Sequence, residues 1–594
     1  MRLKVILFLI LVFYSIIIAR VYVISIKNHS LYQTLANQNI NKKIYLKPTR
    51  GIIYDSNNIP IAYNELKFSL LLKPHLKDKE LNTTINYIQK YLKIDTKKIY
   101  KNYQKQNSVY NHEFIPVLEY INYKNLFDKL PILSQNENIK IESDYLRIYP
   151  LQNIMAHILG YVGKANIQEV TQNKLLKIVK ITGKNGIEKS YNKYLTGQLG
   201  YQNVIVNAKN EIIKKLNTIN PKSSNITLNI NSKLQKFIYN LFKKENKKGT
   251  IIVMKTTGEV IAMVNYPSYD NNLFVKGISS KEWNKLIHNH FNPFLNKAIG
   301  GIYPPGSVVK PAIGLIALSS GKINPYKKIF CPEFIEIGKR KFRDWKEGGH
   351  GEVNIFKAIK RSVDVYYYKI SLILGIDYIA KNLKRMGFGN KTGIDLPNER
   401  KGLIPDKNWK RKRYHQSWFI GETLNASIGQ GYMLTTPIQV AVNTALLATG
   451  KLPTPTIVNK IDNTIIKPKI RDVLTKKEKK FLPLIRKGMW QVCNSPGGTA
   501  TSHINIPFQI AGKTGTAQVH SIPQDVKKRK RETELAYWKR SHAWLTTYGP
   551  YKNPQFIVTA MIEHGGHGGQ AAGGMVSKIY KKLIQLHYIK LKGK

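Results

Sequence analysis

Residues Val5 to Ile26 read VILFLILVFYSIIIARVYVISI, an apolar run whose only charge is Arg20. At about 1.5 Å per helical residue this run spans the ~30 Å hydrocarbon core of a bilayer. A cleaved export signal would have a shorter apolar stretch and a small-residue cleavage site, and neither is evident. Arg2 and Lys4 precede the run, so the positive-inside rule keeps residues 1–4 in the cytoplasm. Lys27 opposes that asymmetry, but a long soluble domain crosses regardless of its flanking charge. Arg20 sits near the outer end, where its side chain reaches the headgroups. The sequence therefore predicts a cytoplasmic tail over 1–4, one membrane helix over 5–26, and everything after about residue 30 on the far side.

The chain beyond the anchor is too long for one core, because the protein has 594 residues. Charge adds a second constraint: 94 Lys+Arg against 36 Asp+Glu give +58. A nucleic-acid partner would use such an excess. Here it is spread along the whole chain and accompanied by many Asn and Ile, which share A/T-rich codons with Lys. Base-composition drift, with attraction to anionic wall precursors and lipids, accounts for it, and no nucleic acid is expected. The run Lys527-Lys528-Arg529-Lys530-Arg531 reads as a solvated loop. The two cysteines, Cys331 and Cys493, are too few for a disulfide framework.

Residues 27–225 mix short apolar alternations, such as Phe68-Ser-Leu-Leu-Leu, with Lys/Asn-rich helical stretches, and hold no cluster of catalytic residue types. The polar link from Pro221 leads to a strand and a helix at Ser232–Lys244. From Gly249 the texture changes. Two apolar runs around Lys255-Thr-Thr-Gly-Glu259 form a hairpin signature. Ala543–Tyr548 and Gln555–Glu563 read as two further strands, and Val576–Tyr588 as a final helix. Strands at both ends with helices between predict an antiparallel sheet covered by helices, an α+β fold, over 226–594.

Three motifs in that region carry chemistry. In Tyr303-Pro-Pro-Gly-Ser307-Val-Val-Lys310 the serine and lysine share one helix face, and Pro-Pro-Gly places the serine at a helix start. A serine hydroxyl is a weak nucleophile until a nearby base takes its proton, and a lysine amine can do so. Ser362-Val363-Asp364 lies on the helical stretch Phe356–Leu374. Lys513-Thr514-Gly515-Thr516 follows Ile510-Ala-Gly and so lies on a strand. There a cation and two hydroxyls could hold a carboxylate, with Gly515 allowing a close backbone approach. S-x-x-K alone is common by chance. The order S-x-x-K, S-x-D, K-T-G-T is not, and it matches the penicillin-binding signature except at the second motif.

On these motifs the chain resembles the class B penicillin-binding proteins, and within them the rod-elongation enzymes of the penicillin-binding protein 2 type. The resemblance extends to Pro48-Thr-Arg50-Gly51, His157-Ile-Leu-Gly160, Gly183-Lys-Asn-Gly186-Ile-Glu188, Arg343-Asp344-Trp345, Gly429-Gln430-Gly431 and Glu563-His-Gly-Gly. Arg343-Asp-Trp, Asp364 where division enzymes usually carry Asn, and an end soon after the last helix point to the elongation branch. The resemblance implies an elongated pedestal over 27–225 and a serine β-lactamase-like transpeptidase domain over 226–594. It implies a periplasmic catalytic domain on a bacterial inner membrane, without a cofactor for acyl transfer.

By the same resemblance Ser307 attacks the penultimate D-Ala carbonyl of a wall stem pentapeptide. Lys310 takes the serine proton and Ser362 passes a proton to the leaving amine. Lys513 lies across the site, the Ser307 and Thr516 amides form the oxyanion hole, and Thr514 and Thr516 bind the substrate carboxylate. Implied partners are stem peptides and their lipid-linked precursor, β-lactams, a glycan polymerase of the shape, elongation, division and sporulation family, and the elongation scaffold. Two alternatives stand beside this reading: a β-lactam hydrolase using Glu422 in Glu422-Thr-Leu-Asn425, and a sensor or scaffold that binds wall fragments without turnover. Cys331, Asp344 and His350 have zinc-ligand types. Relatives of this kind place a fourth ligand where this chain has Val363, so three ligands could hold a structural zinc with water, and a salt bridge with a buried thiol is the alternative.

Overall fold

The computed structural model describes residues 2–207, 211–520 and 530–591. Most of the run Lys527–Arg531 therefore lies outside the described residues. Arg2–Tyr22 is α-helical and continues through one π-turn at Val23–Lys27. Leu3–Lys27 is the one helix among the described residues long and apolar enough to cross a membrane, and none of its most apolar stretch is buried by protein. That exposure separates it from the core helix of a soluble protein and fits a single-pass anchor.

By contacts the chain forms two compact units, and residues 27–225 are shared between them. The first comprises residues 1–51, 164–181 and 193–224. After the anchor and the helix His29–Ile40 it builds an antiparallel sheet from Asn41–Leu46, Gly200–Val206 and Ile212–Ile219. The Arg50 guanidinium donates to Thr196 Oγ1 at 2.8 Å and closes the unit's far end.

The second unit comprises residues 52–163, 182–192 and 225–594. One of its sheets joins Ile53–Tyr54, Pro60–Leu72, Ile115–Asn122 and Ile139–Ile148 to Ile226–Leu228 and Val458–Ile461. Leu70, Leu72 and Val117 from this sheet bury Leu81, Ile85 and Ile88 of the helix Asp78–Leu92. Its polar centre is the fully buried pair Arg147 Nε to Glu188 Oε1 at 2.7 Å, with the Tyr149 hydroxyl donating to the same oxygen at 3.1 Å.

The other main sheet has five antiparallel strands: β1 (Gly249–Lys255), β2 (Val260–Tyr266), β3 (Ala511–Ala517), β4 (His542–Gly549) and β5 (Phe556–Ile562). Their order is β2-β1-β5-β4-β3, so β3 is an edge. Thr546 and Thr547 are neighbours on β4 and point to opposite faces. Thr546 Oγ1 bonds Thr444 of the buried helix Pro437–Thr449 at 2.7 Å, and Thr547 Oγ1 bonds the Tyr580 hydroxyl of Gly568–Gln585 at 3.1 Å. Helices thus cover both faces, which is the α+β arrangement expected. The last helix starts earlier than its periodicity suggested, at a run of small residues, Gly568-Gly-Gln-Ala-Ala-Gly, whose lack of bulk lets it lie close to the sheet.

His157 sits in the core of this unit, its Nε2 2.9 Å from Pro293 O and its Nδ1 3.3 Å from Ser268 Oγ. Burial pulls its imidazole down from the ordinary 6.5 to about 4, with Lys297 adding to the effect. The fold holds the ring neutral while the unfolded chain protonates it. The stability it contributes is complete above pH 6.5 and is lost as pH falls toward 4, on the order of 3 kcal/mol in all. The melting temperature of the wild type should fall across that window more steeply than that of His157→Gln; equal slopes would show that the buried imidazole does not set the acid sensitivity.

Candidate active site

Ser307 is half-buried on a 3₁₀ turn, Gly306–Val309, that runs into the helix Lys310–Ser319. The turn is held from several sides. The Gly306 amide donates to Gly429 O at 2.9 Å, and Trp544 Nε1 of β4 donates to Pro304 O at 3.1 Å. Gly429 has φ +74°, and a Cβ there would stand 2.2 Å from Gly306 O. On the other side lies β3, where a Cβ on Gly515 would come within 3.0 Å of Val308 Cγ1 and 3.1 Å of Pro305 O. Gly429 therefore admits no side chain, and Gly515 leaves a Cβ little room, so the nucleophile turn packs closely against both. Tyr303, at the head of the motif, donates to Glu563 Oε1 at 2.9 Å, and Glu563 pairs with the buried Lys297 at 3.0 Å.

Ser362 lies between two lysines. Lys513 Nζ donates to Ser362 Oγ at 2.9 Å and to Thr514 O at 2.9 Å. Lys310 Nζ donates to Ser362 O at 2.8 Å and to Asp364 Oδ1 at 2.6 Å, and stands 5.2 Å from the centre of the Tyr367 ring. Both lysines are fully buried. The stretch read as one helix breaks here into Ile355–Arg361 and Asp364–Leu374. Ser362 takes φ 58°, ψ 40°, the left-handed conformation that ends the first helix. That conformation costs a non-glycine residue about 1–2 kcal/mol, and it sets the Ser362 carbonyl and hydroxyl toward different lysines.

The electrostatics follow from burial. Desolvation, and then the charge of Lys310, holds the Lys513 amine well below the usual lysine range. Burial also raises the Asp364 carboxyl, and Asp344 adds to this against the opposing pull of Lys310. The site thus holds an amine and a carboxyl whose charged forms are both disfavoured, the arrangement that proton transfer uses. Thr514 is buried and shares a 2.6 Å hydrogen bond with Thr499 Oγ1, while Thr516 is half-buried near the open end of β3. Gly429, Thr499, Trp544 and Lys297 carried no catalytic signal in the sequence; Gly429 and Glu563 stood out only as parts of the family resemblance.

The three residues with zinc-ligand types have protein partners in this structure. Asp344 Oδ1 lies 3.1 Å from His350 Nε2, and its Oδ2 accepts the Val365 amide at 3.0 Å. Those two hydrogen bonds, aided by Lys310, outweigh burial and hold the Asp344 carboxyl below its ordinary range. The Cys331 thiol faces Ile329 O at 3.4 Å, and burial pushes it up to about 12. No group of three or more ligand-type residues able to hold a metal occurs among the described residues. Asp344 and His350 form a carboxylate–imidazole pair, and Asp344 caps the start of the helix at Asp364 through the Val365 amide.

The penicillin-binding protein transpeptidase domain matches residues 249–585, the segment that contains every motif of this site. The chain belongs to the penicillin-binding protein transpeptidase family. The penicillin-binding protein dimerisation domain matches residues 45–228. The chain is 32% identical to the peptidoglycan D,D-transpeptidase MrdA of Escherichia coli strain K12, covering 97% of this chain and 92% of that one. It is similar in structure to the penicillin-binding protein PBP2 of Helicobacter pylori in its complex with MreC. That match has a TM-score of 0.85 and 42% identity, over 93% of this chain and all of the other. A chain of a peptidoglycan synthase complex that coordinates polymerization and crosslinking matches with a TM-score of 0.71 and 25% identity, over 100% of this chain and 99% of that one.

Gly429→Ala should slow acylation by penicillin at least tenfold, an effect of about 1.4 kcal/mol or more on the barrier, because the added carbon displaces the Ser307 turn; an unchanged rate would show that the turn tolerates displacement. Prolonged chelation should leave melting temperature and acylation unchanged, and a drop in either would restore a metal to Asp344 and His350.

Proposed function

We propose that this chain is a serine-type peptidoglycan D,D-transpeptidase of lateral wall elongation, with Ser307 as its nucleophile. The observation that carries this reading is the convergence of Lys310 and Lys513 on Ser362, beside the turn that bears Ser307. Ser307 Oγ attacks the carbonyl of the penultimate D-Ala as Lys310 takes its proton. The developing oxyanion is met by the amides of Ser307 and Thr516, and one such donor is worth about 100- to 1000-fold in rate. The C–N bond then breaks as Ser362 passes a proton to the departing amine, and the proton that Lys310 took from Ser307 restores Ser362, so both lysines end as they began. Free D-Ala leaves and an ester remains on Ser307.

An amine from a neighbouring stem attacks that ester by the reverse sequence and makes the cross-link; water in its place gives carboxypeptidase activity. Thr514, Thr516 and Gly515 receive the terminal carboxylate of the donor along the edge of β3. Asp364, raised by burial and hydrogen-bonded to Lys310, is suited to hold the proton that Lys310 must lack when it acts as base. A β-lactam follows the first half of this path and stays as an ester. Hydrolysis of that ester through Glu422 is disfavoured, because one oxygen of its carboxylate pairs with Lys410 and the other accepts the Phe419 amide at 2.8 Å.

The pedestal over 27–225 and the transpeptidase domain over 226–594 stand on the periplasmic side of the anchor. The likeness to a chain bound to MreC and to one in a synthase complex supports an elongation scaffold and a glycan polymerase as partners. Fluorescent penicillin should label the wild type in a stable 1:1 adduct and leave Ser307→Ala unlabelled. Labelling of the variant would displace the nucleophile, rapid release of fluorophore would make the protein a hydrolase, and labelling without cross-linking of stem peptides would make it a sensor.

A further inference from the structure

The helix Lys407–Tyr414 reads KNWKRKRY, and its one buried residue is a lysine, Lys410. A short helix without an apolar face is not held in place by burial. Polar and aromatic contacts hold this one. Lys410 pairs with Glu422 beneath the Phe419 ring, whose centre is 4.1 Å from the ammonium, and Asp406 at the helix start pairs with Lys384 at 2.6 Å. Trp409 and Tyr414 pack on Tyr432 with ring centres 5.1 and 5.5 Å away. Positive side chains in a last turn favour the helix dipole, and all three of Arg411, Lys412 and Arg413 lie there. It does not account for a helix pinned by a buried ion pair so that Arg411, Lys412 and Arg413 stand in solvent, with no ion pair to any of the three among the described residues. Tyr414, Phe419 and Ile420, 45%, 62% and 57% exposed, border the same surface.

This surface is tied to the active site through a short loop. Tyr432 is three residues beyond Gly429, whose carbonyl accepts the Gly306 amide next to Ser307. Three residues span at most about 11 Å, and an extended pentapeptide about 17 Å. A stem peptide with its D-Ala-D-Ala end at Ser307 is therefore long enough to bring its remaining residues to Tyr432 and the helix. We propose that Arg411, Lys412 and Arg413, with the Tyr414–Tyr432 rings, form a docking surface for the carboxylates of an acidic stem peptide and so select substrate by charge. This rests on the transpeptidase reading and adds to it the determinant of peptide charge. The occupant is fixed by complementarity: the exposed cations call for carboxylates, and the rings for the methyl and methylene groups of the side chains between them.

The test uses the full-length enzyme in detergent, with two synthetic stem peptides ending in D-Ala-D-Ala. One carries free side carboxylates and the other has them amidated, and release of D-Ala is measured. The triple variant Arg411→Gln, Lys412→Gln, Arg413→Gln should label with fluorescent penicillin at the wild-type rate, which reports an intact Ser307 site. Its KM for the acidic peptide should rise about tenfold at unchanged kcat, the sum of three exposed charge contacts, with the KM for the amidated peptide unmoved. In the wild type, raising ionic strength from about 0.05 to about 0.5 M should produce the same selective rise, a readout that does not depend on the variant's folding. Equal KM shifts for the two peptides, or none, would overturn the proposal. So would an unchanged KM with weaker binding to anionic phosphatidylglycerol vesicles, which would assign the helix to the membrane surface. A wild type that takes no penicillin would overturn the transpeptidase reading itself, and this inference with it.

Discussion

Two lysine side chains removed from water on either side of one serine are the constraint from which this active site follows. Burying an ammonium group costs several kcal/mol unless its protons are taken up. Lys310 and Lys513 therefore need acceptors, and they find them in the two oxygens of Ser362, in Asp364 and in Thr514 O. That need explains the left-handed backbone at Ser362, because a helical residue there could not offer its carbonyl to one lysine and its hydroxyl to the other. It also explains why the Lys513 amine is held low: its own burial and the nearby charge of Lys310 act in the same direction. The chemistry uses what the burial produces, an amine at Lys513 whose charged form is disfavoured beside the Ser362 hydroxyl.

The scaffold is arranged so that this pair meets a nucleophile at a sheet edge. β3 is an edge strand paired with β4, and the turn bearing Ser307 packs against it at Gly515. Gly515 allows that approach from below and Gly429 from beside it. The helices Pro437–Thr449 and Gly568–Gln585 pack on the two faces of the sheet through Thr546 and Thr547 of β4. Tyr303, Glu563 and Lys297 anchor the entry to the turn with a second buried charge pair.

Much of this was legible in the sequence because it is local. The i, i+3 spacing of Ser307 and Lys310 and the apolar lead into Lys513 each reflect a single element, and their order along the chain narrowed the family. The hairpin around Lys255-Thr-Thr-Gly-Glu259 was equally local. The features that were not legible depend on partners distant in sequence. No propensity marks Ser362 as left-handed, since the reason is two lysines far away in sequence. Cys331, Asp344 and His350 have the composition of a metal site, and only the fold shows that the Val365 amide takes one oxygen of Asp344 and His350 lies at the other. Likewise, the sharing of residues 27–225 between two compact units arises from the strand Ile226–Leu228 pairing with Ile53–Tyr54, which local periodicity does not encode.

The position of the acyl group and the surroundings of that group bear most directly on this mechanism. A high-resolution crystal structure of the protein after reaction with a penicillin measures both. It should show the ester on Ser307 Oγ, with Ser362 Oγ still within about 2.7–3.2 Å of Lys513 Nζ and Lys310 still buried beside it. An ester on any other residue, or either lysine turned out to solvent in the acylated state, would contradict the mechanism.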